Sequence, residues 1–435
     1  MSFFNARLTT GLPVGWSVPA KSAPRIGFTP EPAAHHTRDL LTHAGDGHLL
    51  TIAPTGAGKG RCGVIPALLT HPGSTLTIDL KGENYHITAR HRRQMGHAVV
   101  ALDPFGIAVK EPDTLNPFDL LALPGSEPDC DGELLSELLC GGQPISSKDM
   151  FWELTGKGLI TGLVGMCSED PDPAKRNIAA VLDALYADDV DYGIAVRLDT
   201  HKFKNNLARQ ELAAYLQHEA DRCRPSVRST SQSMVKCLGS QSIRKALSRT
   251  SFDLERWLRG DPTDIYIIFP PDKLDSHRAV LRLILGTLLA VLLRRPAAPA
   301  ERTLLLLDEC AQLGTLGHLR TAMTLLRGYG VQVWSFWQDL SQLKCLYPAD
   351  WETVLNNSAV VQVFGLANGW AARTAAELVG MPVNNLLRLD KDEQVLSRPG
   401  VGSEVVRRVD YLTDRPFTGL FDPNPRYALS QRLSA

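Results

Sequence analysis

Two short segments of the chain carry side chains whose types and spacing could do chemistry on a phosphate. The first is HLLTIAPTGAGKGRCG, residues 48–63. A short apolar run (Leu49, Leu50, Ile52) reads as a buried strand. It empties into Thr55-Gly56-Ala57-Gly58-Lys59-Gly60, and an apolar, helix-capable segment follows. Strand, glycine loop, lysine and helix are the parts of a phosphate cradle. Gly56 and Gly58 can turn successive N–H groups inward, the helix N-terminus adds partial positive charge, and Lys59 reaches the β- and γ-phosphates. The residues Thr55, Gly56, Ala57, Gly58, Lys59 and Gly60 are therefore the candidate phosphate-binding set. The match to G-x-x-x-x-G-K-[ST] is imperfect at both ends. Ala53 stands at the first glycine, and Gly60 stands where a hydroxyl would face Mg²⁺. On this loop alone, a glycine-rich turn with a solvated lysine stays open.

The second segment is TLLLLDECAQLG, residues 303–314. Four leucines followed by Asp308 and Glu309 make a buried strand with two carboxylates at its C-terminal edge. Ligands bind at that edge of an open parallel sheet. An aspartate there can hold Mg²⁺, and the next glutamate can polarise an attacking water. A solvated acidic turn is the other reading of this segment taken singly. Two imperfect motifs in the correct order, each on the right kind of element, point together to a site for a nucleotide and Mg²⁺.

These motifs need a scaffold, and the chain supplies one. Its 435 residues are 44% hydrophobic and 21% charged, enough for a substantial core plus a second domain. The net charge of −1 gives no bulk attraction to nucleic acid, so any basic surface must be local. Eight cysteines are scattered without a C-x-x-C pair, which suggests reduced thiols rather than zinc or disulfides. Met1 to Trp16 lacks the apolar stretch of a signal peptide or membrane anchor. The most apolar helix candidate, Ala279 to Leu293, is too short to span a bilayer and contains Arg282. The expectation is a chain that does not cross a membrane by itself.

Strands are expected at 74–80, 98–102, 264–269, 303–308, 331–337 and 360–364, with 404–411 as an edge strand. A polar helix over 85–96 carries His86, Arg90, His91, Arg92 and Arg93. Strands alternating with helices imply a parallel, doubly wound α/β sheet. Residues 129–260 are rich in helix formers and poor in strand-like runs. The expected organisation is an N-terminal extension over 1–44 of polar, loop-like character, a nucleotide-binding core in two parts (45–116 and 259–425), a mainly helical insert at 117–258, and a tail at 426–435.

With these pieces in order, the chain resembles the conjugative coupling proteins of type IV secretion, the TraG/TraD type of hexameric RecA-like ATPase. The resemblance covers roughly residues 45–425. It rests on the loop from Ala53 to Gly60 with Val64-Ile65-Pro66 behind it, on Ile78-Asp79-Leu80-Lys81-Gly82-Glu83-Asn84, and on Leu102-Asp103-Pro104-Phe105-Gly106 with Asn116-Pro117. Phe151-Trp152, Ile267-Ile268-Phe269-Pro270-Pro271-Asp272, Leu307-Asp308-Glu309 and the run from Trp337 to Leu343 complete it. The resemblance implies a RecA-like P-loop NTPase core with a mostly parallel sheet and an inserted mainly α-helical domain. It implies ATP and Mg²⁺ as cofactors, assembly into a homo-hexamer, and DNA or a relaxase–DNA complex moved towards secretion-channel proteins. The glycine after Lys59 looks like a common variant in this family. Such proteins usually begin with a transmembrane region, whereas here only about four dozen polar, loop-like residues precede the P-loop strand, so the expectation is a soluble branch of the family or membrane attachment through a partner. A cytoplasmic location, or a peripheral one at the inner membrane, follows.

Under that resemblance Asp308 holds Mg²⁺, Glu309 is the catalytic carboxylate, and Gln338 is a γ-phosphate sensor. Arg327 is either a residue that reaches a neighbouring subunit's nucleotide or a surface arginine at a helix C-terminus. Asp79, Lys81 and Glu83 read as the packing of a turn. Arg90, Arg92 and Arg93 read as a solvated helix face, Phe151-Trp152 as helical-domain core, and the basic stretch 222–236 as either phosphate contacts or an ordinary exposed helix. Two other functional readings stay open: a protein-cargo receptor that uses ATP as a conformational switch, and a soluble DNA-pumping ATPase outside secretion.

Overall fold

The computed structural model describes residues 11–18, 38–141, 150–314 and 322–427. Residues 1–10 and 19–37 of the expected extension, and 428–435 of the expected tail, lie outside the described residues. The strands are β1 (Leu12–Trp16), β2 (Leu40–His43), β3 (His48–Ile52), β4 (Thr75–Asp79), β5 (Ala98–Leu102), β6 (Thr263–Ile268), β7 (Thr303–Leu307), β8 (Val331–Trp337), β9 (Ser358–Val363), β10 (Glu393–Arg398) and β11 (Gly402–Arg407). They form one 11-stranded sheet in the order β2-β1-β11-β10-β9-β3-β8-β7-β4-β6-β5.

From β9 to β5 in that order every pairing is parallel, whereas β10, β11, β1 and β2 are added antiparallel. Most of the parallel strands are buried on both faces and rich in apolar residues, because both faces are covered, although β4 and β8 also bury polar side chains. In β7, Leu305 and Leu307 face a core shared with the helical insert, while Leu304 and Leu306 face the helix that follows the glycine loop. That helix, Ile65–Thr70 after a π-type turn at Gly60–Val64, lies close against the sheet. A Cβ at Gly63 would sit 2.7 Å from the Phe336 ring.

Between β5 and β6 the described residues contain helices and no strand. Helix Leu274–Leu292, after β6, packs this insert onto the sheet, and its Arg282 donates to the Leu138 and Leu139 carbonyls at the end of helix Pro128–Cys140. Among the described residues no helix is long and apolar enough to cross a membrane.

Four expectations need correction. The segment before the P-loop strand is not loop-like throughout: Leu12 and Val14 are buried in β1, whose Val14 carbonyl accepts from the buried amides of Gln362 and Gln394. The segment near 404–411 is not an edge strand, because β11 is flanked by β10 and β1. Phe151 is 53% exposed rather than core, and only Trp152 packs, partly, against the insert. Finally, Arg92 is not on a solvated face. It is fully buried at the sheet's N-terminal edge, with Nε and Nη2 donating to the two carboxylate oxygens of Asp264 at 2.7 and 2.6 Å. Its Nη1 also donates to Leu68 O at 3.0 Å, and its Nη2 to Gly73 O at 2.8 Å. Burial raises the Asp264 carboxyl, but the charge and hydrogen bonds of Arg92 together with the neighbouring His97 outweigh it and hold the group below its ordinary value.

A buried pair of this kind is costly to break from one side. Arg92→Leu should lower the free energy of unfolding in urea by about 3–5 kcal/mol, because Asp264 is left buried without its guanidinium, with only Thr75 and His97 beside it. Arg93→Leu, one residue along on the exposed surface, should cost less than about 1 kcal/mol.

Candidate functional site

The site is built at the C-terminal edge of three neighbouring strands, β3, β8 and β7. β3 delivers the glycine loop. Gly56 and Gly58 have φ of +79° and +96°, which side chains with a Cβ rarely adopt, and a Cβ at Gly56 or Gly60 would meet nothing within 4 Å. The loop therefore presents an open backbone concavity, followed directly by the first turn of a helix. Lys59 is 6% exposed. Its Nζ donates to the Ala53 carbonyl at 3.0 Å and lies 3.4 Å from Glu309 Oε1.

β7 ends in the two carboxylates. Burial pushes the Asp308 carboxyl up to about 7, with the Glu309 charge adding to the shift and the Lys59 charge opposing it. Asp308 Oδ1 accepts the Glu309 backbone N–H at 3.0 Å. Glu309 is the one non-glycine residue of positive φ (52°) among the described residues, so the chain is held in a strained turn at this carboxylate. β8, between the other two, ends in Gln338, whose Nε2 donates to Glu309 Oε2 at 3.0 Å. One carboxylate thus receives Lys59 on one oxygen and Gln338 on the other.

The structure brings Lys59, Asp308, Glu309 and Gln338 together around the loop from Thr55 to Gly60. It does not bring Arg327 there. Arg327 lies just before β8, at the opposite edge of the sheet, where its guanidinium donates to Asp46 Oδ1 at 2.6 Å. Asp79 serves its turn, accepting from the backbone N–H groups of Lys81 (3.3 Å) and Tyr85 (2.9 Å). In the basic stretch 222–236, Arg224 is committed to the His218 carbonyl and to Asp191. The acceptor that sequence reading missed is the Ala53 carbonyl. No residue type signals it, since every residue has one.

This donor set fits a nucleoside phosphate. The N–H concavity and Lys59 suit the anion, and Asp308 beside them offers one carboxylate. Mg²⁺ in such sites takes one or two carboxylates and completes its shell with phosphate oxygens and water. Among the described residues no group of three or more His, Cys, Asp or Glu is placed to hold a metal ion.

A family model described as "Type IV secretory system Conjugative DNA transfer" matches residues 21–382. The chain belongs to that family. It is 30% identical to Protein VirD4 of Rhizobium radiobacter over 339 residues, covering 74% of this chain and 46% of the relative. With the conjugal transfer protein TraG of Escherichia coli the identity is 27% over 322 residues, covering 70% of this chain and 50% of the relative. The chain spans about half the length of the curated relatives it matches. Among solved structures, the conjugative coupling protein TrwB superposes with a TM-score of 0.64 at 14% identity, covering 83% of this chain and 85% of that one. VirB4 of Thermoanaerobacter pseudethanolicus gives 0.52 at 13% identity, covering 92% and 96%. At these identities the likeness is one of fold: an α/β, RecA-like P-loop NTPase core.

The glycines of the loop are unequal, and unfolding in urea can show it. Gly60→Ser enters open space at an ordinary helical φ and should leave stability within about 0.5 kcal/mol. Gly58→Ala forces a Cβ onto a positive φ and should cost about 1–2 kcal/mol.

Proposed function

We propose that this coupling-family protein binds and hydrolyses ATP at the Thr55–Gly60 loop, and that hydrolysis drives DNA or a nucleoprotein substrate towards a type IV secretion channel. The observation that carries the reading is the meeting of Lys59, Glu309 and Gln338 at one sheet edge, with Asp308 beside them. The fold neighbour TrwB, solved with ADP and Mg²⁺, supports the choice of ligand.

In this reading the loop N–H groups and Lys59 hold the β- and γ-phosphates. Asp308 holds Mg²⁺, which when bound neutralises charge on the β- and γ-phosphate oxygens. Lys59 turns from Glu309 to the phosphate, and that frees a carboxylate oxygen to orient and polarise a water in line with the γ-phosphate. Gln338, bonded to the other oxygen, keeps the carboxylate aimed and reads the presence of the γ-phosphate. Arg327 points at Asp46, away from this chain's own nucleotide. It takes part only if a neighbouring subunit brings its site there, so a ring, as in a homo-hexamer, belongs to the proposal. Attachment at the inner membrane, on the cytoplasmic side, would come through a partner.

The test is the steady-state ATPase rate at low salt, with and without single- and double-stranded DNA, alongside sedimentation. DNA should stimulate hydrolysis and promote higher-order assembly. Glu309→Gln should lower kcat by about 10²–10⁴-fold while nucleotide still binds. Lys59→Ala should lose binding itself. Hydrolysis indifferent to DNA would count against a DNA motor and for protein cargo. Absence of nucleotide binding by the unaltered protein would overturn the site.

A further inference from the structure

We infer that Arg408 is a positioning residue for the phosphate cradle, so that the antiparallel half of the sheet is part of the nucleotide-binding machinery. The inference rests on the reading of the Thr55–Gly60 loop as a phosphate site and adds a residue that neither the motif nor the family resemblance pointed to.

Arg408 follows β11 and is fixed at both ends of its side chain. Its backbone N–H donates to the Asp392 carbonyl at 2.6 Å, at the start of β10. Its guanidinium lies over the Phe364 ring, 4.9 Å from the centroid. Phe364 is itself buried, and its backbone N–H donates to Ile52 O at the end of β3. From this platform Nη1 donates to the Ala57 carbonyl at 2.6 Å. The Nε atom is buried with no partner among the described residues, so the loop carbonyl and the ring face hold the guanidinium in place.

The consequence follows from the planarity of the peptide. In a trans peptide the carbonyl of Ala57 and the N–H of Gly58 point in opposite directions. Holding the Ala57 carbonyl on a charged donor therefore fixes the Gly58 N–H in the opposite direction within the same plane, away from Arg408 and towards the cradle. Glycines at φ of +79° and +96° have many other conformations open to them, and without a brace the loop would pay for ordering when the phosphate arrives. Two further contacts hold the same loop. A Cβ at Gly365 would lie 2.6 Å from the Ala57 Cβ, so Gly365 lets the chain after β9 close on the loop tip. Beyond the lysine, Arg61 forks onto both carboxylate oxygens of Asp410, two residues after Arg408, with Nε to Oδ1 at 2.6 Å. The cradle is gripped on both sides by the segment that follows β11.

A brace of this kind acts on binding of the β-phosphate. It does not distinguish diphosphate from triphosphate, unlike Gln338, which reaches Glu309 on the γ side. The full chain should be titrated calorimetrically with ADP and with a non-hydrolysable ATP analogue. Arg408→Ala should raise Kd for both by a similar factor, about tenfold or more for a lost charge-assisted bond, with the nucleotide-free unfolding midpoint little changed. Methylguanidinium should restore part of the loss. Arg408→Lys, which keeps the charge but not the plane, should fall between. Gln338→Ala should weaken the triphosphate analogue alone. Arg408→Ala constants within twofold of the parent would overturn the inference, as would a loss confined to the triphosphate. A loss that tracks a lowered unfolding midpoint and resists methylguanidinium would do the same. If the parent protein binds neither nucleotide, the nucleotide reading itself fails, and that outcome is distinct from these.

Discussion

A buried ammonium group is the constraint on which the rest of the site depends. Lys59 sits at 6% exposure, and burying such a charge is affordable only with acceptors in place. The Ala53 carbonyl supplies one and Glu309 the other. For Glu309 to reach Lys59 the strand that carries it must be near β3, and with β8 between them the carboxylate spans one strand. That leaves the end of β8 under the same carboxylate, where Gln338 completes it. Parallel pairing then does the rest, because it puts the C-terminal ends of β3, β8 and β7 on one edge. The strain at Glu309 is held by the same pairings, which are the ones a phosphate would exchange.

The opposite edge of the sheet is polar for a different reason. Asp264, at the start of β6, is satisfied by Arg92, and Thr75 at the start of β4 donates to it at 2.8 Å. His48 at the start of β3 accepts the Val333 backbone N–H on Nδ1, so its Nε2–H donates to the Met323 carbonyl. Burial pushes its pKa down to about 4, which keeps it neutral in that role. These groups end strands and tie helices to them. Among the described residues these buried groups serve the stability of that edge, while the Arg327–Asp46 pair beside them stays exposed.

How much of this was legible in the sequence depended on whether the cause was local. β3 through β9 declare themselves, because strands buried on both faces are dense in apolar and β-branched residues, most plainly in the four leucines of β7. The glycine loop and the Asp308-Glu309 pair are equally local. β1 is not: Pro13 and Gly15 break its run, and what buries it is Val406 and the amides of Gln362 and Gln394, hundreds of residues away. Arg92 was hidden for the same reason. Between Arg90 and Arg93 it looks like surface charge, and only the packing of its helix over β6 brings it to Asp264. The Ala57–Arg408 contact spans 351 positions and involves a backbone carbonyl, which no side-chain pattern encodes.

The helical insert is placed by the same logic of edges. The chain leaves the core after β5 and re-enters at β6, whose far end leads through Pro270 and Pro271 into helix Leu274–Leu292. That helix belongs to two neighbourhoods. Along its length it is buried against the insert, and Arg282 caps carbonyls there. At its start, where His277 departs from helical angles, Arg278 lies against Gly314, the glycine that ends the turn after Glu309. Gly314 has φ of +71°, and a Cβ on it would sit 3.0 Å from the Arg278 guanidinium, so the turn and the helix are in direct contact with no slack between them. The carboxylate that faces Lys59 and the helix that carries the insert are thus separated by the four residues between Glu309 and Gly314 and one packed contact. The turn after Glu309 and the helix that carries the insert are therefore packed directly on one another.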